Sequence, residues 1–165
     1  MEGFTDAEWG LLVGLPQAVL LAASAAEEDS TRRTAAEHAA GMAAIADARQ
    51  SASPLVQAVA TEIVARLGDP DGDDLGVEEA SLPVFAPGDP AAVAADALDR
   101  AKAAAQLLDE RGHEADAAAY KHWLVTVADE VVTAASSGGV LGIGGTEVSA
   151  AEQTFRDELV QVLND

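Results

Sequence analysis

Three predicted helix starts in this chain carry a Thr or Ser followed, three residues later, by a Glu. The stretches are Thr5-Asp6-Ala7-Glu8, Thr34-Ala35-Ala36-Glu37 and Ser149-Ala150-Ala151-Glu152. In such a capping box the hydroxyl accepts from the backbone N–H three residues on, and the carboxylate accepts from the N–H of the cap. Two donors that a helix start leaves unpaired are thereby satisfied together. Ser53-Pro54 and Asp89-Pro90 mark two further starts, each a cap followed by a first-turn proline. Gly68 and Gly112 stand where helices stop. A chain punctuated in this way is predicted to be all-α, a compact bundle of about six or seven helices with pseudo-repeated halves. The expected organisation is a single helical domain over residues 1–165, with an acidic, proline-rich connection at about 69–89.

The apolar spacing assigns a face to each helix. Phe4 and Trp9 occupy the positions of a hydrophobic staple around the first box. That helix is expected to stop near Gly14, with Leu15-Pro16 opening a second one that carries Val19, Leu20, Ala22, Ala23 and Ala26. A third starts at Ser30 or Thr34 and presents Ala36, Ala39, Ala40, Ala43 and Ile45. Gly41 among them permits a close helix crossing, at roughly 1 kcal/mol of lost helix propensity. Val56, Val59, Ile63 and Leu67 form the next stripe, and Val93, Ala97, Ala101, Ala104 and Leu108 the one after. The strongest stripe is Tyr120, Trp123, Leu124, Val127 and Val131; Ala151, Phe155, Leu159 and Val162 form the last.

Charge excludes whole classes of partner. At −20 for 165 residues, the chain repels nucleic acid and anionic membrane surfaces. Only Lys102 and Lys121 are lysines. The balance fits a halophilic protein, whose self-repulsion concentrated salt would screen, as well as an ordinary acidic one. There is no cysteine, hence no disulfide frame and no thiolate metal site. The apolar run Leu11–Ala26 follows Glu2, Asp6 and Glu8 with no Lys or Arg, unlike a signal peptide. It is also short for a membrane span and contains Pro16. The expectation is a cytoplasmic protein with a buried N-terminal helix and no direct membrane insertion.

Several stretches invite a chemical reading. Gly139-Val-Leu-Gly-Ile-Gly144-Gly145-Thr146 has the glycine spacing of a phosphate-binding loop, but Gly145 stands where the lysine is required and no strand precedes it. The apolar tip of that loop, Val140, Leu141 and Ile143, either tucks into the core or docks on a protein partner or a second copy. Asp69, Asp71, Asp73 and Asp74 resemble part of a calcium loop, yet the sixth and twelfth positions hold Asp74 and Ala80 rather than Gly and Glu. Glu110 and His113 have the spacing of a di-iron motif without its second copy, and with Gly112 inside it. His38 and His122 stand alone. No nucleophile elbow is present, and the prominent serines are caps or loop residues.

An alanine-rich helix, a short acidic or glycine turn, then a capping box and an amphipathic helix occur twice. Val19–Asp29 precedes Thr34/Glu37, and Val127–Ala135 precedes the glycine loop and Ser149/Glu152. In this, and in its tail Gly-Gly-x-Leu-Gly-x-Gly-Gly-x-x-Val-Ser-x-x-Glu, the chain resembles the TerB-like (tellurite-resistance) all-helical family. The resemblance covers about 60 residues and implies a pseudo-two-fold helical domain in stress-response or envelope-associated assemblies, with acidic turns able to hold a divalent metal. The family's Ala-Asp-Gly turn is absent at both places; Glu27, Glu28 and Asp29 are the candidate ligands that remain.

The function expected from the sequence is a non-enzymatic interaction or scaffold domain, able to self-associate, with a protein partner or a homo-oligomer and no cofactor. The alternative is a divalent-cation-binding, TerB-like stress-response protein, with calcium or a similar ion held weakly. An enzyme would need a pocket gathering His122, Asp129 or Glu130 with other polar groups.

Overall fold

A computed structural model of the chain describes residues 3–25, 31–67, 89–137 and 150–164. Among them are six α-helices: α1 Asp6–Ala25, α2 Thr31–Asp47, α3 Pro54–Leu67, α4 Pro90–Arg111, α5 Glu114–Ser137 and α6 Ala150–Asn164. A short 3-10 turn, Ala48–Gln50, follows α2 directly. There is no strand among the described residues, and the helices pack on one another as an all-α bundle.

The caps form as their residue types dictate. Thr5 donates its backbone N–H to Glu8 Oε2 at 2.7 Å, and the Glu8 N–H returns to Thr5 Oγ1 at 3.3 Å. Ser53 Oγ accepts from the Val56 N–H at 3.3 Å and donates to Asp116, which ties the start of α3 to α5. Asp89 Oδ1 accepts from the Ala91 N–H at 3.1 Å, with Pro90 in the first turn. The Gly112 N–H closes α4 on the Leu108 carbonyl at 2.7 Å. A Cβ on Gly112 would stand 2.5 Å from that same oxygen, so only glycine fits the exit.

The N-terminal region differs from expectation. A single 20-residue helix runs straight through Gly14 and Pro16. An interior proline removes the N–H that would bond the carbonyl four residues back, here that of Leu12. The deficit is met from another helix: the Tyr120 hydroxyl of α5 donates to the Leu12 oxygen at 2.6 Å. Neither group is left unpaired in the core, where an orphaned polar group costs about 1–3 kcal/mol. α1 is also long and apolar enough, by length and composition, to cross a membrane, with a mean hydropathy of 1.3. Leu12, Val13, Leu15, Val19, Leu20, Ala22 and Ala23 are buried in the bundle.

α5 is the strut on which the others lie. Tyr120, Leu124, Val127 and Val131 are fully buried, and Trp123 nearly so. The Tyr120 and Trp123 rings meet edge to face at 5.7 Å, and the indole N–H donates to the Ala44 carbonyl of α2 at 3.3 Å. α2 approaches closely because Gly41 faces both α1 and α5. A Cβ there would lie 2.7 Å from Leu20 Cγ and Cδ1 and 2.8 Å from Val131 Cγ2.

The core faces of α3, α4 and α5 are those the spacing predicts, with Val56, Val59, Ile63, Ala97, Ala101, Ala104 and Leu108 buried. On α2 the predicted face holds in part: Ile45 is buried and Ala40 half-buried, but Ala36, Ala39 and Ala43 are exposed, and Glu37 and Gly41 point inward. On α6 Ala151 is exposed, and Glu152, Phe155, Leu159 and Leu163 are buried. Two glutamates of the capping-box pattern, Glu37 and Glu152, are thus each only 1% exposed. α2 begins at Thr31, which places Glu37 in its second turn rather than at the cap. There it accepts from Ser24 Oγ at 3.1 Å and links the end of α1 to α2.

Candidate functional site

A groove opens where the last turns of α4 and α6 flank the first three turns of α5. On α5 its lining residues Glu114, Ala117, Ala118, Lys121, His122 and Val125 recur at intervals of three and four, so they share one helix face. That face is distinct from the core stripe Tyr120, Trp123, Leu124 and Val127 on the same helix. Leu108 and Asp109 enter from α4, Gly112 from the turn after it, and Val160, Leu163 and Asn164 from α6. The groove holds about 570 Å³, within the range of specific binding clefts.

Its floor is apolar and its rim polar. Leu108 and Leu163 are buried at the base, and Val125 and Val160 are half-buried along it. Lys121 donates to Asp109 Oδ1 at 2.8 Å across the α4–α5 boundary, with its side chain 19% exposed. That pair occupies both members and leaves the Glu114 carboxylate, in the first turn of α5, outside it. Neither Glu114 nor the His122 ring has a hydrogen-bond or ion-pair partner among the described residues. The Asn164 amide is turned back to the Val160 carbonyl at 2.6 Å. Among the described residues no hydroxyl side chain lines the groove, and no carboxylate is bonded to the His122 ring, so these residues alone do not bring a base, its orienting group and a nucleophile together there.

The sequence candidates fall as follows. Glu27, Glu28 and Asp29 lie outside the described residues, as do Val140, Leu141 and Ile143 and the acidic run Asp69 to Asp74. Of the histidines, His38 is half-buried on α2, His113 is exposed between α4 and α5, and His122 is exposed on the groove. Asp129 is bound by Arg156 of α6, whose guanidinium is held more firmly protonated by that hydrogen bond and charge. Glu130 is exposed, and neither it nor Asp129 lines the groove with His122. Among the described residues no three His, Asp or Glu side chains gather as a metal site would require. Sequence reasoning missed Val125, Val160 and Lys121. For Lys121 and Val125 the signal was a second periodic series on α5, offset by one position from the aromatic stripe; Val160, on α6, had none.

A second concavity of about 500 Å³ lies between α1 and α3, lined by Trp9, Gln57, Ala58, Thr61, Glu62 and Ala65. It is more open, and its polar side chains other than Trp9 are engaged: Thr61 Oγ1 donates to the Gln57 carbonyl, the Gln57 amide donates to the Arg49 carbonyl, and Glu62 pairs with Arg66.

Comparison with protein-family models, with curated proteins and with solved structures finds no match for this chain.

Proposed function

We propose that this chain is a non-enzymatic helical interaction domain that binds another protein through the α4–α5–α6 groove. The observation that carries this reading is the composition of that groove: an apolar floor drawn from three helices under a sparse polar rim whose groups do not converge on one point. A helical bundle buries one stripe per helix. A second periodic series on α5, ending in the half-buried Val125 and faced by Val160 of α6, is the kind of surface that a partner's side chains fill.

Affinity capture from the native host, at its own salt concentration, tests the reading. Wild-type protein is compared with Ala118→Arg, which places a long charged side chain at an exposed groove position, and with Ala58→Arg in the other concavity. The expected result is a specific partner retained by wild type and Ala58→Arg and lost by Ala118→Arg. Equal capture by all three would remove the groove from the account, and turnover of a captured small molecule would replace the reading with an enzymatic one.

A further inference from the structure

We infer that the groove takes a basic amphipathic helix of a partner protein, apolar on the side that meets the floor and carrying Lys or Arg opposite Glu114. This rests on the interaction-domain reading and names the class of partner. From Glu114 to Val125 the groove follows about 16 Å of α5, three helical turns. An occupant lying along it presents side chains at matching three- and four-residue intervals to the half-buried Val125 and Val160, over a base closed by the buried Leu108 and Leu163. Charge complementarity selects the sign of its polar face. With Lys121 already paired to Asp109 at 2.8 Å, Glu114 is a groove carboxylate with no ion-pair partner among the described residues, and the whole chain stands at −20. A field of that sign draws in cationic segments and repels anionic ones. It repels a second copy of the same chain as well, which argues for a different protein as the occupant.

The test uses the intact protein and three synthetic peptides of about 11 residues, the length that three helical turns require. One is a Leu–Lys helix with all leucines on one face, the second the same with Glu for Lys, and the third the Leu–Lys composition in shuffled order. Binding is followed by fluorescence anisotropy at low salt and located by backbone amide shifts. The Leu–Lys helix is expected to bind and to perturb the amides lining the groove. The shuffled peptide should bind about tenfold more weakly, and Glu114→Lys and Ala118→Arg should each weaken the ordered peptide about tenfold. Both substitutions are at exposed positions, and circular dichroism confirms that the variants fold. Equal binding of the shuffled peptide, perturbation elsewhere on the molecule, or indifference to both variants overturns the inference.

Other outcomes separate it from the reading beneath it. Preference for the Leu–Glu helix, or concentration-dependent shifts of the same amides without peptide, overturns the basic partner and leaves an interaction domain standing. No occupancy of the groove by any peptide or second copy, together with native capture indifferent to Ala118→Arg, overturns both.

Discussion

The Tyr120 hydroxyl donates at 2.6 Å to the carbonyl oxygen of Leu12, the residue whose helical partner would be the N–H that Pro16 lacks. A proline inside a helix ordinarily leaves an orphaned acceptor and a kink. Here a phenol from α5 supplies the missing hydrogen, so α1 runs unbroken for 20 residues and is fastened to the central helix at the same point. One contact thus repairs local structure and fixes tertiary packing.

Burial holds the Tyr120 phenol well above its ordinary value of 10.0, which gives a prediction for alkaline pH. Above that ordinary value the unfolded chain releases the proton that the folded chain keeps, so folding stability falls with rising pH. The contribution is complete below the ordinary value and is lost as pH climbs from there toward the folded one. Urea midpoints measured across this range should fall more steeply for wild type than for Tyr120→Phe. Parallel curves would show that the phenol is not sealed from water.

Gly41→Ala sets two effects against each other. Alanine gains about 1 kcal/mol of helix propensity, but its Cβ would meet Leu20 and Val131 at 2.7–2.8 Å. Overpacking of this kind costs about 1–3 kcal/mol, and both neighbours are themselves buried. The variant should unfold at a lower urea concentration than wild type; a higher midpoint would mean that α2 can shift outward without loss.

Glu8 is held below its ordinary value of 4.5, chiefly by the Thr5 backbone N–H; desolvation opposes this, and the Thr5 hydroxyl and Arg111 add smaller effects in the lowering direction. A lowered carboxyl contributes stability above its unfolded value and loses it as pH falls through the folded one. Glu8→Ala should therefore be less stable than wild type at neutral pH, with the difference vanishing in acid. A gap that persisted below the folded value would assign the effect to packing rather than to the charge-assisted cap.

Salt should stabilise this protein. At −20 the repulsion among its surface carboxylates is screened as the Debye length shrinks to about 3 Å in molar salt. The melting temperature is expected to rise from low to molar KCl. Equal melting in both would show that the acidic surface is not an adaptation to concentrated salt.

Much of the bundle was legible because caps and stripes are local. Thr5/Glu8, Ser53-Pro54 and Asp89-Pro90 announce their helices within four residues, and the Tyr120–Val131 stripe carries its own period. The union of the first two predicted helices was not legible, because the donor that excuses Pro16 lies 108 positions from Leu12. On α2 and α6 the spacing places Ile45, Phe155 and Leu159 inside, as they are, but it counts a Glu as solvent-facing; Glu37 and Glu152 are nonetheless buried while Ala36, Ala39, Ala43 and Ala151 are exposed. For Glu37 the hydroxyl of Ser24 on the neighbouring helix supplies a donor. The groove is not legible in the sequence because its walls come from three helices, and its residues carry separate local signals: Leu108 a core stripe, Gly112 a helix stop, His122 a lone histidine.

The claim on which the architecture rests is that the Tyr120 hydroxyl stands in for the hydrogen missing at Pro16, and a double-mutant cycle between the two positions tests it. Tyr120→Phe is predicted to cost about 1–3 kcal/mol with Pro16 in place, the cost of a buried unsatisfied carbonyl. With Pro16→Ala the residue-16 N–H can bond Leu12, so the same substitution should cost much less, a coupling of about 1 kcal/mol or more. Identical costs in both backgrounds would contradict the account.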